Sequence, residues 1–251
     1  MGEIIMLHFI RKLFLRGTSL KARAYKGIYL PFVRSNEGLS NDENYVNSAL
    51  EQVRSLSSYC DLTSHTRVLD FGCGQGRFAN GLILHESKIE HYCGIDTDKT
   101  SIEWCKRWVN KYNEKFYFIH VPAYNERYNR SAEKHTLLPI EANSFDVAFL
   151  NSVFSHMLTS DITFYLSQLF EALRVDGILY FTAFIEKDVP DMEENPIDYL
   201  DKVSSGSLHR VRYEEEFFMG MIEKVGFKLI DFKHQGIERT QQSVVVVKKI
   251  N

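Results

Sequence analysis

Three glycines lie close together in the segment VLDFGCGQGRF, residues 68–78. Gly72, Gly74 and Gly76 follow an apolar run that carries Asp70 near its end. A strand that leads through such a loop into a helix brings a cofactor against bare backbone N–H groups, because no Cβ atom stands in the way. The spacing therefore predicts a cofactor-binding loop.

An acid in the next apolar run supports this interpretation. Residues 91–96 predict a second strand that ends in Asp96, 22 residues after Gly74. A carboxylate at this place can accept hydrogen bonds from both hydroxyls of a ribose. The alternative is that Asp96 only caps the following helix.

The glycine spacing also bears on which cofactor is bound. The dinucleotide fingerprint is G-x-G-x-x-G, but here the third glycine, Gly76, comes one place early and Arg77 stands where it should be. Asp70 also precedes the glycines. Both details disfavour a nicotinamide or flavin site, so a nicotinamide-dependent oxidoreductase is the weaker alternative.

The elements that must position these residues alternate along the chain. Apolar runs predict strands at 67–71, 91–96, 116–121, 145–151, 178–185, 228–233 and 243–249. Helical spacing falls between most of them, at 41–58, 78–85, 101–111, 162–174 and 213–225. Strands alternating with helices predict a parallel sheet. The last two strands are too close in sequence for a crossover helix, which predicts an antiparallel pair.

At this point a family resemblance can be stated. VLDFGCGQGRF resembles the first motif of the class I S-adenosylmethionine-dependent methyltransferases, and YCGIDTD (92–98) resembles their second. FDVAFLNSVFSHM (145–157) and LFEALRVDGILYFTAF (169–184) are similar to the regions of their fourth and fifth strands, with Asp176-Gly177 in place of Pro-Gly. The resemblance implies an α/β, Rossmann-like fold: a seven-stranded, mostly parallel sheet with an antiparallel last strand and helices on both faces.

Two further stretches resemble a group of bacterial small-molecule methyltransferases. They are Asn125-Glu126-Arg127-Tyr128-Asn129 and Ser152-Val153-Phe154-Ser155-His156. The resemblance implies transfer of a methyl group from S-adenosyl-L-methionine to an oxygen, nitrogen or carbon atom of a small-molecule acceptor, with S-adenosyl-L-homocysteine as product. A non-catalytic, methyltransferase-like binding protein is the alternative.

The resemblance also implies a set of cofactor-binding residues: Asp70, Gly72, Cys73, Gly74, Gly76, Arg77, Asp96, Thr97, Ala123, Tyr124, Asn151 and Ser152. In the family pattern the glycines let the backbone approach the methionine part of the cofactor. Asp70 steadies that loop and reaches the methionine ammonium, and Asp96 holds the ribose hydroxyls. Thr97 borders the ribose or adenine.

The adenine end departs from the family pattern. The turn around Ala123 and Tyr124 is expected to border the adenine, and family members often have an acid there. This chain has Pro122 instead.

At the other end, Asn151 and Ser152 are expected to line the cofactor, while Arg77 contacts its carboxylate or braces the loop. His156, just past the fourth strand, is the candidate catalytic base, because an imidazole can take a proton near neutral pH. His209 is a weaker candidate. A base is optional, since alignment of the reactants alone can lower a barrier by roughly 7–11 kcal/mol.

Composition excludes several classes of protein. The formal net charge of −3 gives no basic field for nucleic acid. The four cysteines show no metal-ligand spacing, so no metal site is expected, and reduced thiols predict a cytoplasmic protein. Neither a secretory signal nor a membrane span is indicated at the beginning of the chain.

The domain organisation is predicted as a helical N-terminal extension or cap over residues 1–59 and a methyltransferase domain over 60–251, with an insertion at 186–212. Residues 1–26 include a basic amphipathic pattern. Such a helix either packs on the domain or lies weakly on an anionic membrane surface. The acceptor and the oligomeric state stay open.

Overall fold

The fold is built around a central sheet. The structure is a computed structural model, and it describes residues 20–34, 41–111, 114–124, 135–197, 199–201 and 206–250. The strands are β1 Ala22–Tyr25, β2 Ile28–Pro31, β3 Arg67–Phe71, β4 His91–Asp96, β5 Phe116–His120, β6 Phe145–Leu150, β7 Leu173–Glu186, β8 Met192–Glu194, β9 Val211–Glu214, β10 Phe227–Ile237 and β11 Gln242–Lys249. The helices are α1 Asp42–Ser57, α2 Arg77–Leu84, α3 Lys99–Trp108, α4 Thr159–Ala172 and α5 Glu215–Val225.

The main path of the sheet has the order β10-β11-β7-β6-β3-β4-β5. Pairing is parallel from β5 through β4, β3 and β6 to β7, and β11 is antiparallel to both β7 and β10. This arrangement confirms the predicted seven-stranded sheet with an antiparallel last strand. The carboxyl ends of the parallel strands share one edge, which gathers the residues that follow them.

Helices cover both faces of the sheet because its central strands are apolar on both sides. Val68 and Leu69 are adjacent in β3 and both fully buried, but they belong to different clusters. Leu69 packs in the cluster that holds residues of α4 and α5, and Val68 packs in the one that holds residues of α1, α2 and α3. Successive strand residues point to opposite faces, so a continuous apolar run needs cover on both.

The segment before α1 contains a β-hairpin, although its sequence was assigned to a helical extension. Strands β1 and β2 pair across Lys26 and Gly27, both with positive φ, which suits a tight two-residue turn. Ile28 and Leu30 pack against Tyr45 of α1. Residues 1–19, which carry the amphipathic pattern, lie outside the described residues.

Two local features mark the ends and the course of these elements. Asn41 caps α1, since its side-chain oxygen accepts from the N–H groups of Glu43 and Asn44. Strand β7 begins at Leu173, before the predicted strand at 178–185, and Asp176 adopts a φ of 67° between strand residues. An irregularity in the β6–β7 register accommodates this residue.

The stretch predicted as an insertion adds two short strands to the sheet. Strand β9 pairs in parallel with the end of β7, and β8 pairs antiparallel with β9. Strands β8 and β9 therefore extend the carboxyl edge of the sheet beyond β7.

Among the described residues, no helix is both long and apolar enough to cross a membrane.

Candidate functional site

The glycine loop lies between the carboxyl ends of β3 and β4. The N–H groups of Gly72 and Cys73 both donate to the carbonyl oxygen of Ile95, at 2.8 and 3.0 Å. The loop is therefore fixed to the strand that carries Asp96, and the predicted loop and acid come together.

The three glycines of the loop have different surroundings. All have positive φ: 82° at Gly72, 51° at Gly74 and 69° at Gly76. A Cβ atom at Gly72 would come within 2.4 Å of a methyl group of Val153, and one at Gly76 within 3.1 Å of the sulfur of Cys105. At Gly74 it would meet nothing within 4 Å. Two glycines thus permit packing within the protein, and Gly74 alone faces open space.

Asp96 fixes the backbone of the glycine loop through a hydrogen bond. Its carboxylate accepts hydrogen bonds from the N–H groups of Gly74 and Asp98, each at 2.7 Å. Burial raises the pKa of Asp96, although these backbone N–H groups oppose the shift. Each carboxylate oxygen can accept more than one hydrogen bond, so the group can still bind two hydroxyls.

Asp70 is buried near the end of β3, before the loop. Its carboxylate accepts from the phenolic hydroxyl of Tyr92, and both side chains are buried. Burial is the main cause that raises the pKa of Asp70 to about 7, and the nearby charge of Asp96 adds to it. A buried carboxylate with this pKa favours a cationic partner.

The predicted adenine end is formed by residues after β4 and β5. The hydroxyl of Thr97 donates to the carbonyl oxygen of Ala123 at 2.8 Å, which joins the two turns. Tyr124 follows and is partly buried, and Pro122 is exposed. Asn125 and Tyr128 lie outside the described residues.

Ser152 stands in a polar network at the end of β6. It has a φ of 61°, its N–H donates to the hydroxyl of Thr182 at 2.8 Å, and its own hydroxyl accepts from Gln242 at 2.8 Å. Gln242 in turn accepts from Thr182 at 2.6 Å. The network fixes the turn that begins with Asn151. Gln242 was missed, although a glutamine at the start of a valine run was the available signal.

His156 is oriented by the inserted segment. Its Nδ1 lies 2.9 Å from the carbonyl oxygen of Leu208. A carbonyl oxygen only accepts, so Nδ1 carries the hydrogen, and in the neutral ring Nε2 holds the lone pair. His209 follows Leu208 and is partly buried. The described residues contain no group of three or more His, Cys, Asp or Glu side chains arranged to hold a metal ion.

Arg77 begins α2 directly after the loop. Its side chain is partly buried, and desolvation lowers its pKa to about 10. Its Nη1 donates to the hydroxyl of Ser48 in α1 at 3.3 Å. This contact could not be predicted from the sequence, because the two residues belong to different motifs.

Two pronounced surface grooves lie away from this edge of the sheet. One, of about 530 Å³, is bounded by the first hairpin and α3, and includes Lys21, Phe32 and Trp108. The other, of about 620 Å³, lies between α4 and α5 and includes Phe170 and Met221. The candidate site lies instead along the carboxyl edge of the sheet, where Asp96 binds the N–H group of Gly74.

Comparison with known proteins gives a family match over the centre of the chain. Residues 69–181 match the family model described as a methyltransferase domain. The chain is also 28% identical over 158 residues to the arsenite methyltransferase of Mus musculus, and 28% identical over 149 residues to that of Rattus norvegicus. These matches cover 59% and 55% of this chain, but only 41% and 39% of those relatives.

Solved structures share the fold at low identity. A SAM-dependent methyltransferase from Methanosarcina mazei has a TM-score of 0.57 at 14% identity, covering 78% of this chain and 97% of that one. A putative S-adenosylmethionine-dependent methyltransferase from Listeria monocytogenes has a TM-score of 0.56 at 14% identity, covering 81% and 100%. The [4+2]-cyclase SpnF has a TM-score of 0.58 at 15% identity, covering 86% and 85%.

The family match includes the glycine loop, Asp96, Asn151 and Ser152, and the fold is shared with solved S-adenosylmethionine-dependent methyltransferases. Since the cofactor of this family is S-adenosylmethionine, the resemblance inferred from the motifs is confirmed at the level of the family. Residues 69–181 match a methyltransferase domain, and the chain shares the fold of solved S-adenosylmethionine-dependent methyltransferases.

Proposed function

We propose that this protein transfers a methyl group from S-adenosylmethionine to an oxygen, nitrogen or carbon atom of a small-molecule acceptor and releases S-adenosylhomocysteine. The observation that carries the proposal is the hydrogen bond from the Gly74 N–H group to the carboxylate of Asp96. Of the three glycines in the loop, Gly74 is the one that faces open space, and a nucleoside bound by Asp96 would have to lie there.

The residues present fit this cofactor. In the proposal Asp96 binds the ribose hydroxyls with its remaining lone pairs, and Thr97, Ala123 and Tyr124 border the adenine. Gly72, Cys73 and Gly76 shape the loop beneath Gly74. These residues are joined by hydrogen bonds and packing that leave the Gly74 face open.

The methionine end is assigned to the opposite part of this edge of the sheet. Asp70, Asn151 and Ser152 line it, and the buried carboxylate of Asp70 offsets the positive charge of the ligand. Arg77 offers the opposite charge, which suits a carboxylate. In the proposal, a carboxylate and a guanidinium thus face the ligand's amino-acid end, which carries one positive and one negative charge.

S-adenosylmethionine, when bound, supplies an activated methyl group on a sulfonium. The protein's part is to hold the acceptor in line with that group and to exclude water, which accounts for most of the rate enhancement in our proposal. His156 accepts the acceptor's proton at Nε2, because the Leu208 carbonyl holds the hydrogen on Nδ1. The inserted segment that carries Leu208 and His209 borders the acceptor.

A small-molecule acceptor is supported by the relatives, since the names of two curated relatives specify arsenite as what those proteins methylate. The chain spans about two fifths of their length, and the acceptor here is not inferred to be arsenite. We further propose the division into an extension at 1–59 and a domain at 60–251. A cytoplasmic location is proposed because all four cysteines are free thiols.

The test is calorimetric titration with S-adenosylmethionine and S-adenosylhomocysteine. We expect both to bind, and Asp96→Ala to weaken binding by about 1–3 kcal/mol, the cost of losing charge-assisted hydrogen bonds. Asp61→Ala is the matched control, because Asp61 is an exposed acid outside the site. If wild-type protein binds neither compound, the proposal fails. If it binds both but methylates nothing across a broad acceptor screen, the non-catalytic binding protein becomes the better interpretation.

A further inference from the structure

The groove between the first hairpin and α3 combines apolar side chains with cations. Its apolar members, which are exposed or only partly buried, are Leu20, Ala22, Phe32 and Trp108. Phe32 is 59% exposed. Lys21, Arg23 and Arg107 also line this surface, and we call these seven residues the hairpin groove. Exposed apolar patches that polar residues surround mark sites of interaction more often than scattered apolar residues do.

Two tryptophans of α3 fix the backbone of the hairpin groove. Nε1 of Trp108 donates to the carbonyl oxygen of Leu20 at 2.8 Å, and Nε1 of Trp104 donates to that of Lys21 at 3.1 Å. The Lys21 carbonyl oxygen also accepts from the N–H group of Phe32 at 3.1 Å. The exposure of Phe32 is therefore a property of an anchored backbone and not of a free chain end.

The positive charge at the groove is only partly neutralised. Arg23 forms an ion pair with Asp42. No ion pair among the described residues includes Lys21, Arg107 or Lys111. The groove thus keeps cations that an anionic partner can neutralise.

Two of these cations lie against the tryptophan of the groove. The guanidinium carbon of Arg107 is 5.4 Å from the ring centroid of Trp108, and Nζ of Lys111 is 4.7 Å from it. Glu103 lies one turn before Arg107 on α3 and is exposed, but it forms no ion pair with either cation in the described part of the chain. Cation–π contacts of this kind hold positive charge beside an apolar surface.

We propose that the hairpin groove docks on the surface of an anionic phospholipid membrane. Phe32 and Leu20 enter the boundary between the headgroups and the acyl chains, and Lys21 and Arg107 attract the anionic headgroups. Aromatic and aliphatic side chains beside basic ones are the composition of surfaces that lie in this boundary. The inference is independent of the proposed function, because no residue of the groove belongs to the candidate site.

The sequence around the groove has the same charge character. The first 34 residues contain one acid, Glu3. Their cations are Arg11, Lys12, Arg16, Lys21, Arg23, Lys26 and Arg34. Each basic residue close to an anionic membrane strengthens binding.

A lipid surface fits the groove better than a nucleic acid does. Leu20 and Ala22 are aliphatic and present no ring on which a base could stack. They can, however, be buried among acyl chains beside Phe32. The formal net charge of −3 also gives the whole protein no attraction for nucleic acid.

The test is co-sedimentation of the full chain with two kinds of vesicle, of phosphatidylcholine alone and of an equimolar mixture with phosphatidylglycerol. We expect binding to the mixed vesicles, and weaker binding as NaCl is raised, because salt screens the charges. Lys21→Gln combined with Arg107→Gln should lower partition onto the mixed vesicles by about tenfold. Phe32→Ser should lower it several-fold, because an apolar contact is lost.

The control variants make the same changes at the opposite end of the sheet. The groove adjoins α3, which packs on β4 and β5, whereas β10 is the far edge strand. Lys224→Gln combined with Lys228→Gln removes two exposed cations there, and Ile230→Ser removes an exposed apolar side chain. Both controls should bind vesicles as the wild-type protein does. The replaced side chains are all exposed, so every variant is expected to fold, and equal melting temperatures check this.

Three results would overturn the proposal. The first is equal binding of the groove variants and the wild-type protein to mixed vesicles, which would place the contact elsewhere in the chain. The second is the absence of binding to mixed vesicles, or equal binding to both kinds. The third is binding of a single-stranded DNA oligonucleotide that is lost in the groove variants while vesicles stay unbound, which would assign the groove to nucleic acid. Calorimetry with S-adenosylmethionine should give the same affinity in all these variants, which keeps the proposed function separate.

Discussion

Tyr92 donates its phenolic hydrogen to the carboxylate of Asp70 at a point where both side chains are buried. The pair lies beneath the glycine loop and close to the charge of Asp96. None of the ion pairs among the described residues includes Asp70, although the charge of Arg77 opposes the rise in its pKa. Its protonation therefore links pH both to the stability of the fold and to ligand binding.

The stability of the unliganded protein should fall as pH rises because of Asp70. Its folded pKa of about 7 lies above the ordinary value of 3.8, so the folded state holds the proton more tightly than the unfolded chain does. This contribution is fully present below pH about 4 and is lost as pH rises to about 7. Between pH 5 and pH 8, the free energy of unfolding should fall by roughly 2–3 kcal/mol less in Asp70→Asn than in the wild-type protein. Urea unfolding at both pH values measures it, and an unaltered pH dependence in the variant would contradict it.

Binding of S-adenosylmethionine should strengthen as pH rises from 6 to 8. A cationic ligand favours the ionised form of Asp70, so the affinity is expected to increase by up to about tenfold over this interval. S-adenosylhomocysteine keeps the ammonium that Asp70 is proposed to contact but lacks the sulfonium charge, so its affinity should change in the same direction and by less. Calorimetry at three pH values, with Asp70→Asn as the comparison, tests the assignment. A decrease of affinity with pH would argue against it.

Alanine substitutions at Gly72 and Gly74 should distinguish a glycine needed for protein packing from one needed for cofactor binding. At Gly72 an added Cβ atom would collide with Val153, so Gly72→Ala should cost about 2–4 kcal/mol of unfolding free energy, from crowding and the left-handed backbone together. Val153→Ala should restore part of this loss in the double variant. Gly74→Ala should cost only about 1 kcal/mol of stability but weaken cofactor binding, because its Cβ atom would enter the open face. Equal stability losses in the two single variants would refute the distinction.

The tautomer of His156 can be measured without knowing the acceptor. The Leu208 carbonyl requires a hydrogen on Nδ1. Long-range nitrogen–proton NMR spectra of the neutral ring should therefore show that Nδ1 is protonated and Nε2 is not. The signal is assigned with His156→Gln. A spectrum with the hydrogen on Nε2 would remove His156 as the base in the proposed reaction.

The sheet and the loop could be predicted because their signals are local. Apolar runs on both faces of the strands, and glycines at fixed spacing before a helix, are properties of short segments. Asp96 was also predictable, since the tip of β4 has to lie beside the tip of β3 in a parallel sheet. The N-terminal hairpin was missed because only Lys26-Gly27 indicates its turn.

Contacts between distant segments could not be predicted in the same way. Ser48 and Arg77 belong to different elements, α1 and α2, and no periodicity links them. The carbonyl oxygen of Leu208 orients His156 with a backbone group, which any residue type could supply. Such contacts depend on how the chain returns to one edge of the sheet, which is a property of the tertiary fold.

The placement of β11 has a consequence for the order in which the protein is assembled during synthesis. This strand lies between β7 and β10, although it follows both in sequence. Until it emerges from the ribosome, one edge of β7 has no partner, and such an apolar edge is prone to pair with other chains. The hydrogen bond from Gln242 to Ser152 also forms only when β11 inserts. The nascent chain therefore keeps an unprotected strand edge, and the turn at Ser152 lacks this bond, until β11 joins the sheet.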